Sequence, residues 1–396
     1  MAEPWLSIIG LGEDGLNGLT SASRAALDDA DIVFGARRHL GLVEAGARGQ
    51  EWPVPFSISP VLAVRGQRVA VLASGDPFWH GVGGSLANHL SATEWRAFPQ
   101  ASVFSLASAR LGWRIEETLC IGLHAAPFGR LVDHLSRGLA AICLVRDGFA
   151  AAELAVWLST RGFGQSRFWL LEALGGPRER ITEGEAHSFV VADARTPVAV
   201  AFIADGGIGL QRVAGLPNDT FKHDGQISKR PIRALTLSAL APRPGEVLWD
   251  VGAGSGAIAI EWALFGRGGS AAIAIEERAE RAENIRNNAK ELGVEDRISV
   301  VVGKAPAALS GLPEPQAIFL GGGADEALLQ ALWAVLPPGA RLVANAVTLE
   351  TEALLSRWSS AKGGNLLRIE LAEDKPLGRF RSWVPARPIV QWSVTR

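Results

Sequence analysis

The second half of the chain alternates segments of helical periodicity with short apolar runs. One apolar stripe runs along residues 279–292 and consists of Ala282, Ile285, Ala289 and Leu292. This spacing predicts a helix with one buried face, and Gly293 follows it as a stop signal. Alternation of such helices with apolar strands is typical of an α/β fold built on a parallel sheet.

Short apolar runs predict the strands of this sheet. They cover residues 247–251, 271–275, 298–302, 317–320 and 341–344, and residues 369–371 and 389–394 close the sheet. Prolines 376, 385 and 388 interrupt the last runs. Because proline cannot donate to a strand ladder, we expect these last strands toward an edge.

The first half of the chain is patterned differently, because it opens with a strand and a glycine turn and several further strands follow. Its predicted strands cover residues 5–9, 32–34, 69–72, 141–145, 168–171 and 198–203. Residues 205–217 are rich in glycine and show little periodicity, as interdomain linkers do. The sequence therefore predicts a domain at 1–204, a linker at 205–217 and a second domain at 218–396.

Residues 248–263 combine a buried strand, a glycine turn and the start of a helix. Asp250 lies near the strand end, and Gly252, Ala253, Gly254 and Gly256 follow it. Glycine has no Cβ, so such a turn bends sharply and lets the backbone approach a ligand. Because open α/β sheets bind ligands at the carboxyl ends of their strands, the turn is a candidate nucleotide site.

Asp250 separates two interpretations of this site. The turn also fits the dinucleotide pattern G-x-G-x-x-G/A, in which a carboxylate at Asp250 would repel a pyrophosphate. S-adenosylmethionine has no phosphate and carries two positive charges that a carboxylate attracts. Glu276 ends the next strand, 26 residues beyond Asp250, where it can accept both ribose hydroxyls. The pattern favours S-adenosylmethionine, while NAD and a purely structural turn stay open.

The first half also contains a glycine turn, at residues 10–18, but its pattern is weak. Asp31 lies 21 residues beyond Gly10, at the distance of a ribose-binding acid. It precedes the next strand instead of ending it, so a dinucleotide role fails. Polar and glycine residues follow two other strands, at 73–81 and 146–148.

The composition of the chain limits the classes of function that the protein can have. A chain of 396 residues exceeds one ordinary domain, and a formal net charge of −2 gives no basic field for nucleic acid. The two cysteines adjoin apolar residues and the start lacks the basic region of a signal peptide, so we expect a cytoplasmic protein. No apolar run reaches the ~18 residues of a membrane span, and no cysteine or histidine spacing indicates a metal.

Several motifs of the first half occur together and in order. They are Ile9-Gly10-Leu-Gly12, Ala30-Asp31-Ile-Val33-Phe-Gly35, Ser74-Gly75-Asp76-Pro77 with Gly81, Pro99-Gln-Ala-Ser102-Val, Ala109-Arg-Leu-Gly112-Trp and Leu174-Gly175-Gly176-Pro177-x-Glu179. With these motifs the first half resembles the tetrapyrrole (corrin and sirohaem) methylase family, and within it the CbiE type.

The second half carries a different set of motifs. They are Gly225-Gln226-Ile-Ser228-Lys229 with Arg233, Asp250 to Gly256, Gly303-Lys-Ala-Pro306, Phe319-Leu-Gly321-Gly322-Gly323 and Asn345-Ala-Val-Thr348-Leu-Glu350. They resemble the CbiT type, a class I methyltransferase. The two types in this order on one chain resemble the fused methyltransferases of aerobic cobalamin synthesis.

The resemblance implies a fold and an activity. The fold is α/β, with a two-lobed tetrapyrrole methylase domain followed by a Rossmann-like class I methyltransferase domain. Each half binds its own S-adenosylmethionine, and a reduced precorrin-6 is methylated at carbons 5 and 15 with loss of carbon dioxide from the ring C acetate. The resemblance further implies that the C-terminal domain catalyses decarboxylation and methylation of carbon 15. It implies that the N-terminal domain methylates carbon 5. Relatives of both halves self-associate, so we expect a homo-oligomer.

The resemblance also implies cofactor residues. In the first half the cofactor site consists of Gly75, Asp76, Pro77 and Ser102. In the second half the resemblance implies a site that consists of the glycine turn, Glu276 and five further residues. These residues are Gln226, Ser228, Gly303, Lys304 and Ala305. Val103 and the pair Ala125-Ala126 depart from the family pattern. This leaves open a tetrapyrrole-binding protein in which only the C-terminal half is active.

The implied substrate is a tetrapyrrole with many carboxylates, so we expect cations at the rims of its site. The candidate substrate contacts are Lys229, Arg233, Arg379, Arg381, His80, His124 and Asn345. For each of them a solvated or purely structural role stays open. No catalytic residue is identified, because methyl transfer from a sulfonium requires mainly positioning and exclusion of water.

Overall fold

The computed structural model describes residues 4–266 and 268–396. The chain forms two compact units, Met1–Phe128 with Leu135–Ile208 and Gly129–His134 with Gly209–Arg396. The boundary at Ile208 and Gly209 falls within residues 205–217. In the described part of the chain, no helix has the length and apolarity to cross a membrane.

The first unit contains a wholly parallel five-stranded sheet. Its strands are β1 (Leu6–Leu11), β2 (Ile32–Gly35), β3 (Gly49–Glu51), β4 (Val69–Ser74) and β5 (Trp95–Phe98). They lie in the order β3-β2-β4-β1-β5, so the two most apolar strands, β1 and β4, occupy the centre. The helices around it are α1 (Ser21–Asp28), α2 (Arg37–Leu42), α3 (Ser59–Ala63), α4 (Val82–Ala87) and α5 (Val103–Leu111).

A second five-stranded sheet completes the first unit. Its strands are β6 (Leu119–Gly122), β7 (Ala140–Leu144), β8 (Arg167–Glu172), β9 (Arg180–Glu185) and β10 (Val198–Ile203), with α6 (Gly148–Leu158) between β7 and β8. The order is β6-β7-β10-β8-β9. The β6–β7 pair is parallel, whereas the pairs of β10 and β8 are antiparallel.

The second unit contains a seven-stranded sheet. Its strands are β11 (Val247–Val251), β12 (Ala271–Glu276), β13 (Ile298–Val302), β14 (Ala317–Leu320), β15 (Arg341–Ala346), β16 (Asn365–Ile369) and, at the end of the chain, β19 (Ile389–Thr395). The helices are α7 (Arg230–Leu240), α8 (Ala257–Gly266), α9 (Ala279–Glu291), α10 (Glu326–Val335) and α11 (Leu349–Lys362). Strands β17 (Ala372–Leu377) and β18 (Phe380–Pro385) form a separate antiparallel hairpin.

The order of the large sheet is β13-β12-β11-β14-β15-β19-β16. From β13 to β15 all neighbours are parallel, and β19 runs antiparallel to both β15 and β16. Strand β11 is therefore internal, and its carboxyl end meets those of β12 and β14. The predicted α/β class and the five parallel strands of this half are confirmed.

The prediction for the last strands is partly wrong. Strand β16 ends at Ile369, so residues 370 and 371 lie outside it, and β19 is internal instead of peripheral. The prolines mislead because Pro376 and Pro385 belong to the exposed hairpin β17–β18, and Pro388 precedes β19. An uninterrupted β19 can therefore pair on both sides.

Candidate functional site

A cavity of about 710 Å³ lies at the carboxyl ends of the parallel strands of the second unit. Its volume is in the ~300–1,000 Å³ range of small-molecule sites. The predicted residues that line it are Gln226, Ser228, Lys229, Gly252, Ala253, Gly254, Glu276, Gly303, Lys304, Ala305 and Asn345. The structure thus gathers into one place residues that are up to 119 positions apart in the chain.

The glycine turn forms one wall of this cavity. Gly252 and Gly254 have φ angles of +73° and +60°, which favour glycine. Among the described residues, the atom nearest to a Cβ on Gly252 would be the Gly322 carbonyl oxygen at 3.9 Å, so the backbone is open to a ligand. Gly256 differs, because a Cβ there would lie 2.7 Å from Ile285 Cγ2. It does not line the cavity, and it lets α9 pack against the turn.

Glu276, the last residue of β12, ties the cavity edge to the glycine turn. Its side chain is mostly buried, and Oε2 accepts a hydrogen bond from the Gly254 amide at 2.8 Å. Oε1 accepts one from the Arg278 amide at 3.0 Å. Each carboxylate oxygen can accept a further bond, so a ribose diol can be held there.

Asp250 lies beneath the turn instead of at the cavity surface. Its residue is 1% exposed, and Oδ2 accepts a hydrogen bond from the Ala259 amide at 3.1 Å. Oδ1 is buried and has no hydrogen-bond partner in the described part of the chain. Burial raises the pKa of Asp250 to about 7; the bond from Ala259 opposes the rise and the Glu276 carboxylate adds to it. Asp250 therefore does not line the cavity, so the predicted contact with a ligand is not observed, and only its charge can act on a ligand there.

Cofactor affinity at this cavity should therefore depend on pH. A cationic ligand favours the ionised form of Asp250, so its affinity should rise by up to tenfold per pH unit below about pH 7 and then level off. Calorimetry in buffers of different ionisation enthalpy should detect proton release on binding near pH 6. Asp250→Asn should lower the affinity and remove both effects. An unchanged pH slope in that variant would rule out Asp250 as the cause.

Arg233 is not a rim cation, and the prediction of substrate contact by this residue is wrong. The side chain is fully buried on α7, and Nε donates to Glu261 Oε1 of α8 at 2.5 Å. Glu261 in turn accepts the amides of Gly215 and Leu216 at 2.6 and 3.0 Å. An arginine can occupy this buried helix position because these bonds satisfy the polar atoms of both side chains. The pair anchors the end of the interdomain segment.

Asn345 lies at the cavity and belongs to a buried polar triangle. Asn345 Nδ2 donates to Thr236 Oγ1 at 3.1 Å, and Gln391 Nε2 donates to Asn345 Oδ1 at 3.0 Å. Gln391 also reaches Thr236 Oγ1 at 3.1 Å. These bonds fix the orientation of the Asn345 amide, as expected for a residue that positions a ligand.

Arg379 and Arg381 do not line the cavity. Both lie on the exposed hairpin β17–β18, where the Arg379 guanidinium covers the Phe380 ring and Arg381 contacts Asp374. The structure thus gives these two residues surface contacts within their own hairpin and does not bring them to the second unit's cavity.

A second cavity, of about 350 Å³, lies within the first unit. Gly75, Ser102, His80 and His124 line it, as the sequence predicts for a ligand site. Gly75 has a φ of +56°, and a Cβ there would lie 2.8 Å from Ser102 Cα, so the two loops approach closely only with glycine. Asp76 and Pro77 do not line the cavity, and Asp76 Oδ1 instead accepts the Phe78 amide at 2.8 Å.

One wall of this cavity is polar, and its residues are not among those predicted from the sequence. It consists of Glu13, which follows β1, Arg38 and His39 of α2, and Ser74 of β4. Burial, and then the Arg38 charge, lower the pKa of His39 to about 4, so the imidazole is neutral at physiological pH. A signal did exist, since Arg37, Arg38 and His39 follow the carboxyl end of strand β2.

Both units match known families. Residues 6–189 match the tetrapyrrole (corrin/porphyrin) methylases, and residues 219–396 match the precorrin methyltransferase domain. The precorrin-6Y C(5,15)-methyltransferase (decarboxylating) of a Sinorhizobium species is 44% identical over 404 residues, which cover 100% of this chain and 97% of that protein. The chain belongs to the precorrin-6Y C(5,15)-methyltransferase (decarboxylating) family.

Other members and relatives agree with this assignment. The precorrin-6Y C(5,15)-methyltransferase of Mycobacterium tuberculosis (strain CDC 1551 / Oshkosh) is 40% identical over 398 residues, 98% of this chain and 99% of that protein. A shorter relative from Saccharolobus solfataricus, a probable cobalt-precorrin-6B C(15)-methyltransferase (decarboxylating), is 37% identical over 145 residues. These cover 35% of this chain and 72% of that protein. The family and the two-domain fold class inferred from the motifs are confirmed.

Proposed function

We propose that the chain transfers two methyl groups from S-adenosylmethionine to a reduced precorrin-6, at carbons 5 and 15, and removes carbon dioxide from the ring C acetate. The observation that carries the proposal is a separate cavity in each unit of a chain whose full length matches C(5,15)-methyltransferases. Each cavity serves one methylation and binds one cofactor. The reaction belongs to cobalamin synthesis.

The second unit takes carbon 15 and the decarboxylation. Its support is the precorrin methyltransferase match over residues 219–396, together with the CbiT-type motifs in this half. The shorter relative named for C(15) methylation and decarboxylation aligns with only 35% of this chain. A protein so named therefore does not need the equivalent of both units. Carbon 5 then falls to the first unit.

The residues of the second unit fit S-adenosylmethionine. Glu276 offers carboxylate oxygens for the ribose, and the open face of Gly252 lets the cofactor approach the backbone. The buried Asp250 Oδ1, which has no hydrogen-bond partner among residues 4–266 and 268–396, adds negative potential near a cationic ligand. When bound, the cofactor supplies an activated methyl group, so the chain needs mainly to align the meso carbon and exclude water.

The same cavity offers cations to a carboxylate-rich macrocycle. Lys229 and Lys304 line it, and Arg281 also lines it but is paired with Asp224 at 2.8 Å. The fixed amide of Asn345 can orient the ring, while the two lysines bind peripheral carboxylates. Decarboxylation requires an acetate kept ionised and poorly hydrated, with the protonated macrocycle as the electron sink.

The first unit fits a second cofactor. The close approach of the Gly75 and Ser102 loops leaves a cavity whose remaining wall is largely apolar, with Phe104, Leu144 and Leu171 among its residues. His80 and His124 lie on the same wall, where Gly122 separates them; a Cβ there would lie 3.3 Å from His80 and 3.4 Å from His124. They are the proposed substrate contacts of this unit.

We also propose which partners the enzyme has and where it is located. The substrate is a precorrin, and neither a nucleic acid nor a membrane is a partner; the formal charge of −2 supports the first point. Cys120 and Cys143 are free thiols, which supports a reducing, cytoplasmic location. We keep the expectation of a homo-oligomer as part of the proposal.

Mass spectrometry of a reduced precorrin-6 incubated with the protein and S-adenosylmethionine tests the proposal. The expected product has gained two methyl groups and lost one carbon dioxide. A product with one added methyl group and carbon dioxide lost would leave activity in the C-terminal half alone. An unchanged substrate in the presence of bound cofactor would contradict the proposed reaction.

A further inference from the structure

The polar wall of the first unit's cavity carries a charged cluster that the proposed reaction does not yet use. Glu13 follows β1, Arg38 and His39 belong to the first turn of α2, and Ser74 is the last residue of β4. All four line the cavity. Arg178, from the segment between β8 and β9, does not line the cavity but contacts Glu13.

The contacts within the cluster are short and specific. The Arg38 guanidinium contacts the Glu13 carboxylate through Nη1, and its Nη2 lies 2.8 Å from His39 Nε2 and 2.9 Å from Ser74 Oγ. Arg178 Nη2 donates to Glu13 Oε2 at 3.2 Å. Gly176 permits this approach, because a Cβ there would lie 2.5 Å from Glu13 Cβ.

The charges in the cluster do not cancel. A guanidinium can only donate, so His39 Nε2 accepts from Arg38 and the imidazole is neutral. Two guanidiniums then share one carboxylate, Glu13, which leaves one positive charge in excess. Burial, and then the charge of Arg178, lower the pKa of Arg38 from its ordinary value, as expected for a cation that lacks full compensation.

We propose that Arg38, assisted by the Ser74 hydroxyl, binds a carboxylate group of the ligand in the first unit's cavity. The inference rests on the proposed function, since both of its ligands carry carboxylates. Arg38 has five N–H donors, and its contacts with Glu13, His39 and Ser74 leave some of them for a ligand. A carboxylate that enters here gains a charge-assisted bond and neutralises the excess charge.

Two sources can supply this carboxylate, and binding experiments separate them. One source is the amino-acid end of the cofactor, and the other is an acetate or propionate of the tetrapyrrole. S-adenosylhomocysteine carries the first carboxylate, whereas methylthioadenosine lacks it. Binding of both is measured in the full chain that carries Glu276→Ala, so that the first unit's cavity dominates. The Michaelis constant for reduced precorrin-6 is measured in the otherwise unchanged full chain.

Arg38→Gln should weaken one interaction by roughly tenfold to hundredfold, the value expected for one charge-assisted hydrogen bond. A loss for S-adenosylhomocysteine but not for methylthioadenosine assigns the site to the cofactor. A raised Michaelis constant with unchanged cofactor affinity assigns it to the tetrapyrrole. Arg37→Gln is the matched control, because its side chain is 91% exposed and should leave all values unchanged.

Ser74→Ala keeps the ion pairs and should cause a smaller loss of the same kind, so it serves if Arg38→Gln folds poorly. Affinities and Michaelis constants within twofold of the parent in the folded Arg38 or Ser74 variants would overturn the inference. A first unit that binds no cofactor even with Arg38 intact would instead contradict the proposed function.

Discussion

Replacing Glu276 by alanine should remove the cofactor from the second unit and leave the first unit occupied. The substitution deletes the carboxylate that faces the cavity and releases the amides of Gly254 and Arg278. Loss of charge-assisted bonds to a ribose diol should lower affinity at this site by roughly a hundredfold or more. Calorimetry should then show one cofactor per chain where the parent binds two.

Glu277→Ala is the matched control for this prediction. Glu277 also lines the cavity, and its removal changes the net charge by the same amount. It should retain two cofactors per chain, together with carbon dioxide release. Full occupancy of both sites in the Glu276 variant would show that this cavity is not the cofactor site.

Replacing Arg233 by methionine should cause a large loss of stability. The substitution leaves the fully buried Glu261 carboxylate without its ion-pair partner. It also leaves the carbonyls of Leu216 and Ser228 without the donor that Arg233 supplies. Removal of one partner from a buried ion pair costs about 3–5 kcal/mol. For a unit of this size the melting temperature should fall by roughly 6–20 °C, measured by calorimetry.

Arg230→Met tests whether position on α7 alone explains the effect. Arg230 lies on the exposed side of the same helix and donates to Gln211 Oε1 at 3.3 Å. Its loss should change stability by about 0.5 kcal/mol or less. A stable Arg233→Met variant with a raised Michaelis constant for the tetrapyrrole would restore the substrate role that the sequence suggested.

Local patterns predict the core of the second unit well. The alternation around Asp250 places a buried strand, a turn and a helix within a few residues, and each step depends on neighbours in sequence. The carboxyl-end rule then gathers Glu276, Lys304 and Asn345 at one cavity without knowledge of side-chain contacts. The observed strands and the cavity lining agree with these predictions.

Burial and long-range pairing cannot be predicted in the same way. Asp250 has the residue type of a ligand contact, but the turn covers it. Arg233 has the residue type of a substrate-binding cation, but its partner Glu261 is 28 positions away on a helix that is buried on all sides. The site around Arg38 is assembled from segments as distant as Glu13 and Arg178. In each case the tertiary fold determines the role, not the local pattern.

The hairpin β17–β18 shows a further limit. Its residues are exposed on both strands, so no hydrophobic alternation toward a core indicates a pair of strands. The sequence predicts Arg379 and Arg381 as substrate contacts because a substrate with many carboxylates requires cations. Both residues instead belong to a solvated hairpin whose charges contact their own neighbours.

We propose that one chain holds two methyl-transfer sites, each for a different carbon. Carbon-13 NMR of the product made with methyl-labelled S-adenosylmethionine tests it most directly, in the parent and in the Glu276→Ala chain. The parent should give label at carbons 5 and 15, and the variant should lose the label at carbon 15 together with carbon dioxide release. Retention of label at carbon 15 in a variant whose second unit binds no cofactor would contradict the account.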